Sequence, residues 1–147
     1  MSTFVHATSV AFRHRASWRG VLLRGPSGAG KSDLALRAIA AGGRLISDDQ
    51  TRLSIKDRQL IATAPATLAG LIEARGIGIV RLPRGQVLTR ARIFLAVDLV
   101  RPEKIERLPD PVCEDFQGLS LPVIALAPFE ASTVAKLRLA LVQFANA

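Results

Sequence analysis

Apolar and polar positions along the chain fall into short blocks, and the period of each block predicts an element. Phe4 to Phe12 has partial strand character, Arg13-His14-Arg15 reads as a turn, and Gly20-Val21-Leu22-Leu23-Arg24 reads as a second strand. A β-hairpin therefore opens the chain. Gly25 to Ser32 is rich in glycine, and Asp33 to Ala41 then collects strong helix formers that stop at Gly42-Gly43. Arg44 to Ser47 is a short apolar strand running into Asp48-Asp49. Thr51 to Ile55 and Leu60 to Ala64 flank the polar Lys56-Asp57-Arg58-Gln59, which predicts a second hairpin. Pro65 is placed to start a helix through Ala74, with Glu73 and Arg75 at its end. Strands are expected at Ile79 to Leu82, Ile93 to Val100 and Leu119 to Leu126, with a polar, proline-punctuated stretch from Arg101 to Gln117. Val134, Leu137, Leu141 and Phe144, at spacings of three and four, mark the packing face of a C-terminal helix. Strands mixed with helices and a strand-loop-helix unit near the front indicate an α/β fold, and the hairpins make the sheet mixed rather than purely parallel.

Composition bounds this picture. With 147 residues, 49% of them hydrophobic, the chain has material for one packed core, and a single domain over residues 1–147 is expected. No uncharged run reaches the roughly 20 apolar residues of a membrane helix, and Gln59 to Ile72, as long as any, contains Pro65 and Gly70. The first residues carry no basic segment followed by a continuous apolar stretch, so the cytoplasm is the expected compartment. Cys113 is the one cysteine, and with two histidines it supplies neither an internal disulfide nor a zinc site. The formal net charge of +8 favours anionic partners, but the arginines are dispersed and form no block of like charge. With aromatics at 5% and no Tyr there is little for bases to stack on, which makes nucleic acid a minor alternative.

Gly25-Pro26-Ser27-Gly28-Ala29-Gly30-Lys31-Ser32 satisfies G-x-x-x-x-G-K-[ST] in full, with an apolar strand before it and a helical pattern after it. The glycines let the backbone curl so that its N–H groups point inward at phosphate oxygens, and the helix N-terminus adds partial positive charge. Lys31 would reach the outer phosphates, and Ser32 offers a hydroxyl to Mg²⁺. Such a loop implies triphosphate binding and leaves the acceptor open. Asp48 and Asp49 sit at a strand's C-terminal end, the edge where ligands bind in open α/β sheets. One acid there can hold a metal and the other accept a hydroxyl proton. Neighbouring side chains on an extended strand point opposite ways, so an acidic turn is the plain alternative. Taken alone, Glu73 reads as a solvated helix residue or a second metal ligand, and His6 as a hydrogen-bonded strand residue or a catalytic one.

Four pieces in order carry a resemblance: His6 in the first strand, the loop Gly25 to Ser32, the strand ending in Asp48-Asp49, and Glu73-Ala74-Arg75-Gly76-Ile77-Gly78-Ile79. The last is similar to a signature E-x-R-G-[LI]-G-I, and the combination resembles the catalytic domain of bacterial HPr kinase/phosphorylase in its short, single-domain proteobacterial form. The resemblance implies a kinase using ATP and Mg²⁺ that phosphorylates a serine of HPr or an HPr-like phosphocarrier. It gives Asp49 the proton of the target serine, with Asp48 and His6 in support. Ser32 and Glu73 carry over as metal ligands, and Arg75 as a stabiliser of transferring phosphoryl charge. It also implies a homo-oligomer, often a hexamer. In the family the same acid donates its proton when inorganic phosphate attacks phosphoserine and pyrophosphate is released. Leu119 to Pro128 departs from the pattern R-I-P-V-x-x-G-R-N, because Ser120 stands where an Arg is expected and the G-R-N is lost. That segment belongs to the dephosphorylation step, so the resemblance carries kinase activity further than phosphorylase activity. The rival readings are a small-molecule kinase built on the same loop and a nucleotide-sensing scaffold that transfers nothing.

Overall fold

In the computed structural model, which describes residues 2–144, the strands are β1 (Ser2–Val5), β2 (Ala7–His14), β3 (Ser17–Arg24), β4 (Arg44–Ser47), β5 (Thr51–Lys56), β6 (Gln59–Thr63), β7 (Leu71–Ala74), β8 (Gly78–Arg81), β9 (Arg90–Leu99), β10 (Val112–Phe116) and β11 (Leu119–Leu126). The helices are α1 (Lys31–Ala40) and α2 (Thr133–Gln143). The expected single domain also spans Met1 and residues 145–147, which lie outside the described residues. Nine strands form one mixed sheet, and β7 pairs with β8 in a separate ribbon. The hub is β9. One edge runs parallel to β3, with Val21 opposite Leu95. The other edge is shared: its first residues pair antiparallel with β6, Ile61 opposite Arg92, and its last run parallel to β11, with Val123 opposite Ala96. Two strands taking successive halves of one edge split the sheet there, so it curls.

Curling buries both faces of the central strands, which is why β2 and β3 read as apolar runs rather than as alternation. Val21 and Leu23 of β3 join Val10, Leu34, Leu95 and Leu137 in a core roofed by α1 and α2. Leu22, between them, faces a second core with Ile46, Leu53, Leu60 and Ile93, closed by the outer strands. The mixed α/β architecture, the opening hairpin and the C-terminal helix are as the sequence predicts.

Three elements differ from expectation. The first strand breaks at His6, because β1 pairs with β5 while β2 pairs with β3 and β4, and the chain bends to serve both. The helix expected from Pro65 to Ala74 is a single 3₁₀ turn, Ala66–Leu68, followed by strand β7. Gly70 at φ +76° turns the chain out of helical space, and burial then alternates along Leu71-Ile72-Glu73-Ala74, a period of two. Within the stretch expected to be irregular, Val112–Phe116 forms β10 against β11. On α2, Leu137 and Leu141 are buried as expected, while Phe144 at the end is 41% exposed. Helix α1 ends where the double glycine predicts, with Gly42 at φ +99° donating to Ile39 and Gly43 donating to Ala38.

Candidate functional site

The phosphate loop leaves β3 at Gly25 and enters α1 at Lys31, with Gly30 at φ +97° before the first helical residue. Lys31 is buried inside the loop, where its ammonium donates to the carbonyls of Gly25 at 2.6 Å and Pro26 at 3.2 Å. Its three donors are thereby held at the mouth of the loop. A cavity of about 400 Å³ opens there, lined by Ser27, Gly28, Lys31, Ser32, Asp49, Glu73 and Arg75 among others. That volume is ordinary for a small-molecule site.

The acid pair meets this cavity through a turn that no extended strand provides, with Asp49 in its lining and Asp48 behind it, bonded to Ser32 and to the Glu73 backbone. Gln50 N–H donates to Asp48 C=O at 2.7 Å, and Asp49 between them adopts φ +65°. A non-glycine residue on the left-handed side costs about 1–3 kcal/mol and persists where neighbours fix it. The neighbours here are specific. Thr8 Oγ1 accepts from Asp49 N–H at 3.0 Å and donates to Asp48 Oδ1 at 3.0 Å, so one hydroxyl holds both acids. Ser47 donates to Gln50 C=O, and buried Ser9 and Thr51 are bonded to each other at 2.9 Å, Thr51 also donating to Ala7 C=O.

The two carboxylates then differ in environment. Asp48 is only 7% exposed and its oxygens are occupied: Oδ1 accepts from Ser32 Oγ at 2.7 Å and from Thr8, and Oδ2 accepts from Glu73 N–H at 2.9 Å. It ties the phosphate loop to the β7–β8 ribbon. The Asp49 side chain is 65% exposed, and its Oδ1 lies 2.8 Å from His6 Nε2. An ionised carboxylate only accepts, so the Nε2–H of His6 donates. The bend between β1 and β2 that broke the expected strand is what places the imidazole there.

The structure thus gathers the loop residues, Asp48, Asp49 and His6, and brings Glu73 and Arg75 to the same cavity on a strand and turn rather than on a helix. Among the described residues no group of three or more His, Cys, Asp or Glu side chains gathers as a metal cage. The donors fit a small hard cation that draws most of its oxygens from phosphate and water. Ser32, giving its hydrogen to Asp48, keeps its lone pairs for such an ion, and Glu73 turns an exposed carboxylate to the cavity.

Sequence reasoning missed three participants. Thr8 lies two residues beyond His6, early in β2 past the bend, and carried no motif that marked it. Phe129, in the loop after β11, stands against Gly30 and lines the cavity. Arg24, just before the loop, grips two acids at once: Nε and Nη2 donate to Asp98 at 2.8 and 3.2 Å, and Nη1 and Nη2 to Glu114 at 2.6 and 3.0 Å. The Arg24 hydrogen bonds hold the Glu114 carboxyl below its ordinary value, and the guanidinium is correspondingly raised. This clamp joins β3, β9 and β10 where the phosphate loop begins.

A phosphate loop on a mixed α/β sheet, facing two carboxylates that one threonine holds, defines the class: a phosphate-loop domain with an acidic cavity. Residues 11–137 match the family model of the HPr serine kinase C-terminal domain, and the chain belongs to that family. The HPr kinase/phosphorylase of Leptothrix cholodnii is 38% identical over 118 residues, covering 74% of this chain and 36% of that protein. The HPr kinase/phosphorylase of Bordetella pertussis is 39% identical over 116 residues, covering 73% of this chain and 38% of that one. The chain thus spans little more than a third of these curated relatives. The solved structure of the Hpr(Ser) kinase/phosphatase from Coxiella burnetii superimposes with a TM-score of 0.81 at 29% identity, over 96% of this chain and 88% of that one.

Proposed function

We propose that this chain is an ATP- and Mg²⁺-dependent protein-serine kinase whose acceptor is a serine of HPr or an HPr-like phosphocarrier. The observation that carries the reading is that Asp49, exposed and hydrogen-bonded to His6, opens onto the same cavity as the phosphate loop. In the forward step an Asp49 oxygen takes the proton of the seryl hydroxyl, the seryl oxygen bonds to the γ-phosphorus, and the bond to the bridging oxygen of ADP breaks. His6 holds the Asp49 carboxylate in place through its hydrogen bond. Asp48, saturated with hydrogen bonds, fixes Ser32 and Glu73, the residues that would hold Mg²⁺. When bound, that ion offsets charge on the phosphate oxygens. Lys31, the loop N–H groups and Arg75 stabilise the transferring phosphoryl group.

In reverse, the proton on Asp49 returns to the seryl oxygen as inorganic phosphate attacks phosphoserine and pyrophosphate leaves. Ser120 and Ala127 supply no cation where the family pattern has arginines, which favours kinase over phosphorylase activity. The reading includes a cytoplasmic homo-oligomer. Its support is that no helix among the described residues is long and apolar enough to cross a membrane, and that Ile77 and Ile79 stand 82% and 73% exposed on the β7–β8 ribbon.

The test is to incubate the protein with ATP, Mg²⁺ and an HPr-type carrier and to locate added phosphate by mass spectrometry. Phosphate on a carrier serine supports the reading, and adding inorganic phosphate then measures reversal. Transfer to small acceptors but not to the carrier would favour a small-molecule kinase. ATP binding with no transfer at all would favour a nucleotide-sensing scaffold.

A further inference from the structure

The phosphate loop is a wall shared by two cavities. Ser27 and Gly28 line the acidic one and also a second, of about 540 Å³, on the other side. The second lies beyond the carboxyl ends of β3, β9 and β11, which are parallel to one another, and is walled by the loops that follow them. Ligands bind at that edge of such sheets. Resting on the nucleotide reading above, we propose that this second cavity receives the base and ribose of the nucleoside triphosphate, with the ring of Phe129 as the surface on which the base stacks.

In-line transfer carries the argument. Acceptor and leaving oxygens lie on opposite sides of the phosphorus. An acceptor hydroxyl beside Asp49 occupies the acidic cavity, so the leaving nucleoside diphosphate extends away from it, past Ser27 and Gly28. What it meets there suits a nucleoside: apolar Val100, Pro102 and Phe129 for the flat face of a base.

Phe129 is 68% exposed, yet its backbone is fixed. Buried Thr133 donates to Ala127 C=O at 2.6 Å, and Arg37 donates to Pro128 C=O. The ring edge rests on the phosphate loop: a Cβ built at Gly30 would lie 2.7 Å from Phe129 Cζ. An anchored ring with an open face, at the boundary of both cavities, is a preorganised stacking platform. Base stacking on such a ring is sequence-tolerant, because every base presents a π-face.

The experiment is calorimetric binding of ATP and of inorganic tripolyphosphate, which has no base, to the parent protein, Phe129→Ala and Phe129→Trp. Phe129→Ala is expected to weaken ATP about tenfold or more and leave tripolyphosphate unchanged, and Phe129→Trp to retain ATP affinity. If Phe129→Ala weakens both ligands alike, the ring acts through Gly30 on the loop and the inference falls. It falls also if Phe129→Ala changes neither. Since binding rather than transfer is read, a protein that shows the ATP-selective loss but phosphorylates no carrier retains this inference and loses the kinase reading. A parent protein that binds neither ligand loses both.

Discussion

Asp49 and Asp48 are chemically identical neighbours, and their surroundings divide them. Asp48 spends its oxygens on Ser32, Thr8 and the Glu73 backbone, whereas Asp49 keeps an exposed carboxylate against His6. Asp49→Asn should therefore keep ATP binding, checked by calorimetry, while lowering the rate of carrier phosphorylation by about 10²–10⁴-fold, the contribution of a positioned proton acceptor. Transfer at the parental rate would remove Asp49 as the base. Thr8 is the more telling position, because it touches no substrate and yet holds both acids. Thr8→Val takes the hydrogen-bond partner from the Asp49 N–H and a donor from buried Asp48, a change worth about 1–3 kcal/mol for a group left unsatisfied. The melting temperature should fall by about 2–12 °C, at roughly 2–4 °C per kcal/mol for a chain of this size. Thr8→Ser keeps both hydrogen bonds and should restore transfer, an outcome that lost packing alone would not give. The acids were legible in the sequence because they are adjacent and end an apolar strand. That both face one site was not, because the turn depends on a hydroxyl 41 residues away.

Elements were legible wherever one local signal decided them. The phosphate loop, α1 and its double-glycine stop needed nothing beyond their own residues. The 65–74 segment misled because a proline suited to a helix start precedes a strand whose partner lies across a turn at Gly76 and begins at Gly78. Strand β10 was hidden for a related reason: Cys113, Glu114 and Asp115 are exposed on an edge strand and leave no buried alternation to read. Its role emerges only through Arg24, 90 residues away. This clamp has a pH signature with a definite sign. Glu114 is held below its ordinary value of 4.5, so its ion pair contributes fully above that pH and is lost as pH falls through the lowered value. Glu114→Gln should melt below the parent at pH 7, and the gap should close as the pH is taken well below 4.5. A gap that stays constant down to that range would mean that Arg24 and Glu114 are not coupled in solution. Asp98 keeps its own two bonds to Arg24, so the variant loosens the start of the phosphate loop without releasing it.

At the scale of the whole molecule, charge and topology act differently. The net charge of +8 suggests a surface for anions, but several of the arginines that carry it pack on the protein's own aromatic rings. Arg19 and Arg92 lie over the Phe94 ring, Arg44 over Trp18 and Arg138 over Phe12, so these cations cover apolar rings rather than form a free basic stripe. Topology couples what the charge does not. The two cores are separated by the sheet but share its strands, and β3 feeds both: Leu23 packs under the helices and Leu22 against the outer strands. Neither core can come apart without breaking the β3–β9 pairing that carries the phosphate loop. The expectation is one cooperative unfolding transition, in which damage to either core lowers the stability of both. Leu22→Ala and Leu23→Ala each delete a fully buried side chain, at about 2–5 kcal/mol. Both should shift a single urea transition to lower midpoint with an unchanged slope, followed by circular dichroism and by loss of ATP binding in parallel. A plateau in the Leu22→Ala curve, with nucleotide binding retained after part of the signal is lost, would mean that the outer strands and second core unfold apart from the site. The coincidence of the probes is the sharper criterion, because the loop that binds phosphate begins two residues beyond the pair being cut, on the strand both cores grip.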